Sequence, residues 1–453
     1  MENQFDKILG KTFMNTAIDT IDTMAGKPLD ETVYAKVAWR LIPLLFLCYV
    51  LAYLDRVNVG FAKLQMQSEL QFSDSIYGLG AGIFFIGYFL FEVPSNLILH
   101  KTGARLWIAR IMVTWGMISA SFIWVDSVWM FYLFRFLLGL AEAGFFPGII
   151  FYLTYWFPAQ RRARIVALFM SAAAVSSAFG GPISGWIMKE LAGINGWSGW
   201  QWLFLLEGLP SIVVGVWVLF YLDDGIRKAN WLTDDEKQLL ERRITADSQE
   251  KPIRHLGQAC RDPRVWLLCL VYFCFVSGLY GVSFWLPQLI KNTGVNDLFN
   301  VGLLSAIPWG IGAVGMILIG HHSDRSRERR WHIAFCGLVG AAALAVTMLF
   351  GNDTLVALTA LTVATLGILG SFPVFWNIPT AFLAGTAAAG GIAIINSFGN
   401  LGGFAAPYLM GWLNDLTQNT TAGIYCLAGA MALAAVLVLI IPRSLFNRED
   451  VKP

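Results

Sequence analysis

WRLIPLLFLCYVLAYLDRVNVGFA, from Trp39 to Ala62, decides the fold. It is long enough to cross a hydrocarbon core of about 30 Å, which takes about 20 apolar residues. Its only charges are Arg40 at the start and the adjacent Asp55 and Arg56 toward the far end. Working outward, eleven more stretches have the same character: approximately 76–99, 105–125, 128–153, 163–190, 199–222, 264–290, 299–321, 331–350, 354–380, 383–412 and 421–442. Several carry Gly and Pro, which membrane helices tolerate because neighbours re-satisfy the freed backbone groups. The expected fold is therefore an all-α membrane protein with twelve transmembrane helices in two six-helix, pseudo-symmetric halves.

Composition agrees. Hydrophobic residues make up 57% of the chain and charged residues 14%, against about 25% charged in a soluble protein. With 33 Phe and 18 Trp as well, the chain could not cover its core with a polar surface. A formal charge of +2 gives no electrostatic footprint for nucleic acid. The six cysteines are scattered and mostly inside apolar runs, with no CxxC pair or zinc spacing, so they are expected to be small core residues. No metal and no cofactor is expected.

Basic residues set the orientation. With the N-terminus inside, the outer loops hold three (Lys63, Lys189, Lys291) and the spans two (Arg56, Arg135), leaving 27 of the 32 Lys and Arg on the cytoplasmic side. That bias places both termini in the cytoplasm of an inner or plasma membrane. The first 36 residues are polar and lack the apolar core of a cleaved signal. The chain thus divides into an N-terminal tail (1–36), a first bundle (37–222), a cytoplasmic linker (223–263), a second bundle (264–442) and a C-terminal tail (443–453). The linker opens with YLDDGIRKANWLTDDEKQLLERR, spaced for a helix along the membrane face. A weak repeat supports the halving: NLILHKTGAR from Asn96 and GHHSDRSRERR from Gly320 lie at matching places. Such parallel repeats mark transporters whose binding site lies between the halves near mid-membrane.

Ionisable groups inside a membrane are costly, so those that persist mark function or internal pairing. Asp55 lies roughly 22 Å past Arg40, and Arg135 roughly 10 Å below the outer start of its helix, at 1.5 Å per residue. The two share a level and are expected to pair. Glu142 is two turns below Arg135, and Gly139 between them leaves that face open for a ligand or a close helix. Static ion pairs locking the first and fourth spans are one reading. Working groups are the other, favoured because a buried pair stabilises little compared with an apolar replacement. Glu142 has no basic residue one turn away on its helix, which suits a carboxyl that binds and releases a proton. Arg56 keeps its charge, and its planar fork suits a substrate carboxylate. Glu92, beside Pro94, is expected to snorkel toward headgroups, and Glu207 to be a structural contact.

The second half carries ordered polar groups instead. Ser277, Tyr280, Gly281, Phe284 and Gln288 form one stripe of the seventh span, and Asn396, Asn400 and Gly403 one of the eleventh. Trp285, Trp309 and Trp376 could supply aromatic walls.

At YLDRVNVGFAKLQM (Tyr53–Met66) and FRFLLGLAEAGFFPGIIFYLTYWFP (Phe134–Pro158) the chain resembles the major facilitator superfamily. More narrowly it is similar to the anion:cation symporter family of phthalate, tartrate, sugar-acid and hydroxyphenylacetate permeases. FEVPSNLILHKTGAR, GWQWLFLLEGLPS and FWNIPTAFLAGTAAAGGIAIINSFGNLGGFAAPYLMGW fit the same group, and the likeness runs from about Trp39 to Pro442. The resemblance implies proton-coupled import of an organic anion by alternating access. It implies proton coupling through Asp55, Glu142 and Arg135, and substrate contact at Arg56. With Arg56, the expected substrate contacts are Asn58, Tyr280, Trp285 and Gln288, joined by Trp376, Asn396 and Asn400. The superfamily loop signature GxxxDRxGRR is degenerate in the first half, with His100 and Ala104 in place of an Asp and an Arg. Its gating residues are expected at Lys101, Gly103 and Arg105, and in the second copy at Gly320, Asp324 and Arg325.

An enzyme would need a catalytic constellation. All five His lie in or beside cytoplasmic loops, and there is no HExxH pair or GxSxG elbow. A sensor would ordinarily need a larger cytoplasmic output domain than the linker offers. The closest rival is a proton-independent organic-anion exchanger or facilitator of the same fold. The partners expected are a small organic anion, protons and the lipid bilayer, with the monomer as the working unit.

Overall fold

The computed structural model describes residues 29–249, 262–350, 353–382 and 385–441. Most of both expected tails and residues 250–261 of the linker lie outside the described residues. No strand occurs among those described. The helices are α1 (Leu29–Val57), α2 (Val59–Glu69), α3 (Asp74–Thr102), α4 (Ala104–Ala120), α5 (Val128–Glu142), α6 (Phe145–Thr154), α7 (Ala159–Glu190) and α8 (Gly199–Tyr221). After the linker helix α9 (Asp234–Gln249) come α10 (Pro263–Asn292), α11 (Leu298–Ser326), α12 (Arg330–Leu349), α13 (Thr354–Phe382), α14 (Gly385–Thr417) and α15 (Thr421–Ile440). Eleven segments are long and apolar enough to cross a membrane, α1–α2 and α5–α6 each counting as one. The twelfth is α14. At about 50 Å it is long enough to cross.

Within the first six spans, α4 packs on α8, α1 on α7 and α3 on α5. Within the second six, α12 packs on α13 and α15, α11 on α13, and α10 on α14. Besides a contact of α2 with α10, the two most extensive crossings that join the sets are α3 with α14 and α7 with α11. Both are close backbone approaches made by glycine, the membrane substitute for a hydrophobic driving force. A Cβ on Gly78 would lie 2.2 Å from the Pro407 carbonyl oxygen, and one on Gly302 2.3 Å from that of Gly181.

The ties between the sets concentrate at the end that the basic-residue bias assigns to the outside. There Asp415 of α14 accepts the Asp74 and Ser75 amides at 3.0 and 2.9 Å, and the Ser75 hydroxyl. It thereby caps the first two amides of α3, beside the Ser73 hydroxyl that takes the Ile76 amide. Lys189 meets Asp297 at 2.6 Å; this ammonium, with the Asn300 amide, holds the Asp297 carboxyl below its ordinary range. At the other end α9 is tied to the first bundle by Lys36–Glu236 at 2.8 Å and Arg243–Asp30.

Closure at the first end depends on the glycine contact. Gly302→Val should wedge α7 from α11 and lower transport at least ten-fold. A cysteine placed at Ser283, buried here, should then react with a membrane-impermeant maleimide. Unchanged labelling would show that the crossing does not hold the halves together.

Candidate substrate and proton site

The centre of the molecule is built on a broken helix. After Glu142, Ala143 leaves the helical region (φ −55°, ψ 133°) and Gly144 takes φ +84°, a conformation that glycine alone adopts freely. A Cβ there would also meet Ser95 Oγ at 2.3 Å. Pro147, in the first turn of α6, removes an amide that the new helix start would leave unpaired. The break leaves Glu142 as the last residue of α5.

Glu142 faces Arg56, in the last turn of α1. Arg56 Nε donates to Glu142 Oε1 at 3.1 Å and Nη2 to the same oxygen, while Nη1 donates to the Tyr280 hydroxyl at 2.9 Å. All three are buried. The guanidinium carbon lies 5.5 Å from the rings of Phe84 and Tyr88 and 5.8 Å from that of Tyr53, and Phe85 stands 4.4 Å from Tyr280. One arginine thus joins the first bundle to the second inside an aromatic cage, a favourable setting for a partly desolvated cation. Tyr53 and Tyr88 were missed from sequence. The signal available was Tyr49 and Tyr53, one turn apart and immediately before Asp55.

The expected Asp55–Arg135 pair does not form. Asp55 instead accepts Trp115 Nε1 at 3.1 Å, Ser119 Oγ at 2.7 Å and Ser211 Oγ at 2.8 Å. Adjacent residues on a helix point about 100° apart, so with Arg56 turned to Glu142 and Tyr280, Asp55 points to α4 and α8. Arg135 donates to the Gly80 and Ala81 carbonyls at 3.2 and 3.0 Å. Gly139 explains this: a Cβ there would lie 2.0 Å from the Phe84 oxygen, so α5 sits on the backbone of α3. The open face is filled by a helix.

Other expected contacts are spread along the bundle axis. Trp285 is engaged by Lys63, whose Nζ lies 3.3 Å above its ring and 2.9 Å from Asp74. Lys63, expected in a loop, is on α2 and 1% exposed. Gln288, eight residues or about 12 Å beyond Tyr280, donates to Asn292 at 2.7 Å. Trp376 packs on Tyr272 at 4.8 Å, equally far from Tyr280 in the opposite direction. Asn396 and Asn400 are half-buried on α14, and between them Ser397 donates across the halves to Glu92 at 3.2 Å. Glu92 therefore does not snorkel; it is 7% exposed inside the fold. Asn58, between α1 and α2, lines a small cavity elsewhere. The structure thus brings Arg56, Glu142 and Tyr280 together and places Trp285 and Gln288 toward one end, Trp376 toward the other.

At the loops, Gly103 takes φ +93° and the Arg105 amide donates to Asp224 Oδ1 at 3.1 Å. The acid missing at His100 is here supplied from the linker. Lys101, Asp324 and Arg325 are exposed, and Gly320 faces Pro373.

Residues 45–407 match the family model described as Major Facilitator Superfamily. The protein named as metabolite transport protein NicT of Pseudomonas putida is 48% identical over 420 residues, covering 92% of this chain and 96% of that one. A protein named as a tartrate transporter of Agrobacterium vitis is 48% identical over 425 residues, covering 93% and 94%. Among solved structures, the xylose transporter XylE from E. coli in a partially occluded inward open conformation superposes with a TM-score of 0.71 at 14% identity, covering 89% of this chain and 98% of that one.

Proposed function

Since the chain belongs to the Major Facilitator Superfamily as a multi-pass membrane transporter, we propose that it imports a small organic anion with protons by alternating access. The substrate is a carboxylate of the tartrate, sugar-acid or aromatic-acid class, and the relative named for tartrate supports that class. The carrier works as a monomer in the inner membrane with both termini cytoplasmic. One observation carries the reading: a buried arginine at the junction of the halves is neutralised by a single carboxylate, Glu142. An anionic substrate and Glu142 compete for the same guanidinium. A proton on Glu142 releases Arg56 to the substrate, so proton and anion load together. Tyr280 donates or accepts beside them, and its place on α10 makes substrate contact sensitive to how the halves sit. Asp55 is a second proton-binding carboxyl, away from the substrate.

The test is uptake of labelled tartrate, phthalate and galactonate into proteoliposomes at pH 5.5 outside and 7.5 inside. One acid should accumulate, and a protonophore should abolish the accumulation. The same acid should raise the melting temperature more at pH 5.5 than at 7.5; at 100 times its dissociation constant the stabilisation is about 2.7 kcal/mol. Equilibration without accumulation, indifferent to the protonophore, would establish the proton-independent exchanger or facilitator instead.

A further inference from the structure

Glu207 of α8 is 2% exposed and accepts one hydrogen bond, from Ser184 Oγ of α7 at 2.8 Å. One turn further along α8, Ser211 donates to Asp55, so the two carboxyls occupy neighbouring rungs between α1 and α8. The matching rungs are Asp55 of α1 and Asn58, the residue between α1 and α2, and the Asn58 amide faces the Glu207 carboxyl. Glu207 Oε2 and both polar atoms of Asn58 nevertheless lie outside hydrogen-bond geometry with any described group.

Asn58 and Ser184, the hydrogen-bond donor to Glu207, border a cavity of about 20 Å³ between the halves, lined also by Ser176 and Ser177 on their side and Ser283 and Ser305 on the other. That is room for one water, which needs roughly 10–15 Å³ and two to four polar partners. Each serine already donates within the protein, to Val50, Ala173, Glu207, Leu279 and Val301 respectively. Their remaining lone pairs can accept from water, and the Asn58 amide can donate to it.

Among the described residues no cation balances this pair of acids. Arg56 is committed to Glu142 and Tyr280, and Arg135 to carbonyls of α3. On the other helices packed against α8, Lys63 of α2 is bound to Asp74, and Lys189 of α7 to Asp297. Glu69 of α2 takes the Trp200 indole, at the outer end with Glu190. Arg105 and Arg110 of α4 and Arg161, Arg162 and Arg164 of α7 begin their helices at the opposite end. A lone buried carboxylate is costly enough that it takes up a proton instead.

We propose that Glu207 is a proton-binding carboxyl of the transport cycle, paired with Asp55 and supplied with protons through Asn58 and the serine-lined cavity between the halves. The inference rests on the proton-coupled reading above and adds to it a residue and a route. Opening the halves at the α7–α11 crossing joins the cavity to solvent, which supplies the proton; closure isolates the loaded pair.

Infrared difference spectra of the lipid-reconstituted, substrate-free protein between pH 5 and 9 test this directly. The wild type should show a titrating carboxylic-acid band that shrinks in Glu207→Gln and shifts in Glu207→Asp; an unchanged band in Glu207→Gln overturns the proposal. With tartrate as probe, Glu207→Gln should keep counterflow within about three-fold of wild type while pH-driven accumulation falls at least ten-fold, and Glu207→Asp should restore it. A purely structural Glu207 would reduce both activities together without restoration. Should Glu207→Gln fail to fold, the same spectra of Glu207→Asp decide, an unshifted band counting against. Failure of the proton-coupled reading looks different: the wild type would itself ignore the protonophore.

Discussion

Arg56→Ala should remove transport altogether and weaken acid binding at least 100-fold, about 2.8 kcal/mol at 1.4 kcal/mol per decade. The guanidinium lies at the junction of the halves with its fork directed at a carboxylate. Without it, a substrate anion would enter a cage of Tyr53, Phe84, Tyr88 and Tyr280 with no counter-charge. Removing one member of a buried ion pair ordinarily destabilises by about 3–5 kcal/mol, because the survivor is left uncompensated. Here Glu142 can take a proton, so the fold should lose less, and a melting curve on the purified variant will show whether it does. Arg56→Lys keeps a charge but loses the bidentate fork. It should fall between wild type and alanine. Thermal shifts with the transported acid, measured in all three, check the order, and binding retained in Arg56→Ala would end the anchor role.

The second large effect is expected at Glu142. Glu142→Gln mimics the protonated carboxyl permanently and frees Arg56 for substrate. The variant should bind the acid at pH 7.5 as tightly as wild type does at pH 5.5, and its affinity should be flat between those values. Gradient-driven accumulation should fall at least 100-fold, since no proton need leave for the substrate to be released, while counterflow continues. An unchanged pH profile would move the coupling proton elsewhere. Asp55→Asn makes a control that the geometry itself supplies. Asp55 touches Trp115, Ser119 and Ser211 but not Arg56, so affinity should stay within about three-fold of wild type even where coupling is impaired. Stability should drop by about 1–3 kcal/mol, as an amide nitrogen cannot accept the bonds the carboxylate does.

Much of this molecule was legible without coordinates. Arg56 and Glu142 could be singled out because a charge in an apolar run is visible wherever it sits, and the Gly144–Pro147 break beside Glu142 is written in the same stretch. Lys63 shows the limit. Its place just past the expected end of the first span suggests a loop, yet it packs on Trp285 because α2 continues the first span and buries it. Glu92 is expected to snorkel for a similar reason: its partner, Ser397, comes from a helix distant in sequence.

The sequence by itself determined the number of spans, their expected orientation and the set of residues worth suspecting, since span length and the exclusion of charge from lipid are properties of one helix at a time. Only the tertiary structure decided which charges meet. Rise per residue gives a depth along the membrane normal and says nothing of the direction in which a side chain points around its helix. That direction follows from how closely neighbours pack. Gly139 lets α5 settle on the backbone of α3, which takes Arg135 into the Gly80 and Ala81 carbonyls and leaves Glu142, at the broken end of the same helix, for Arg56.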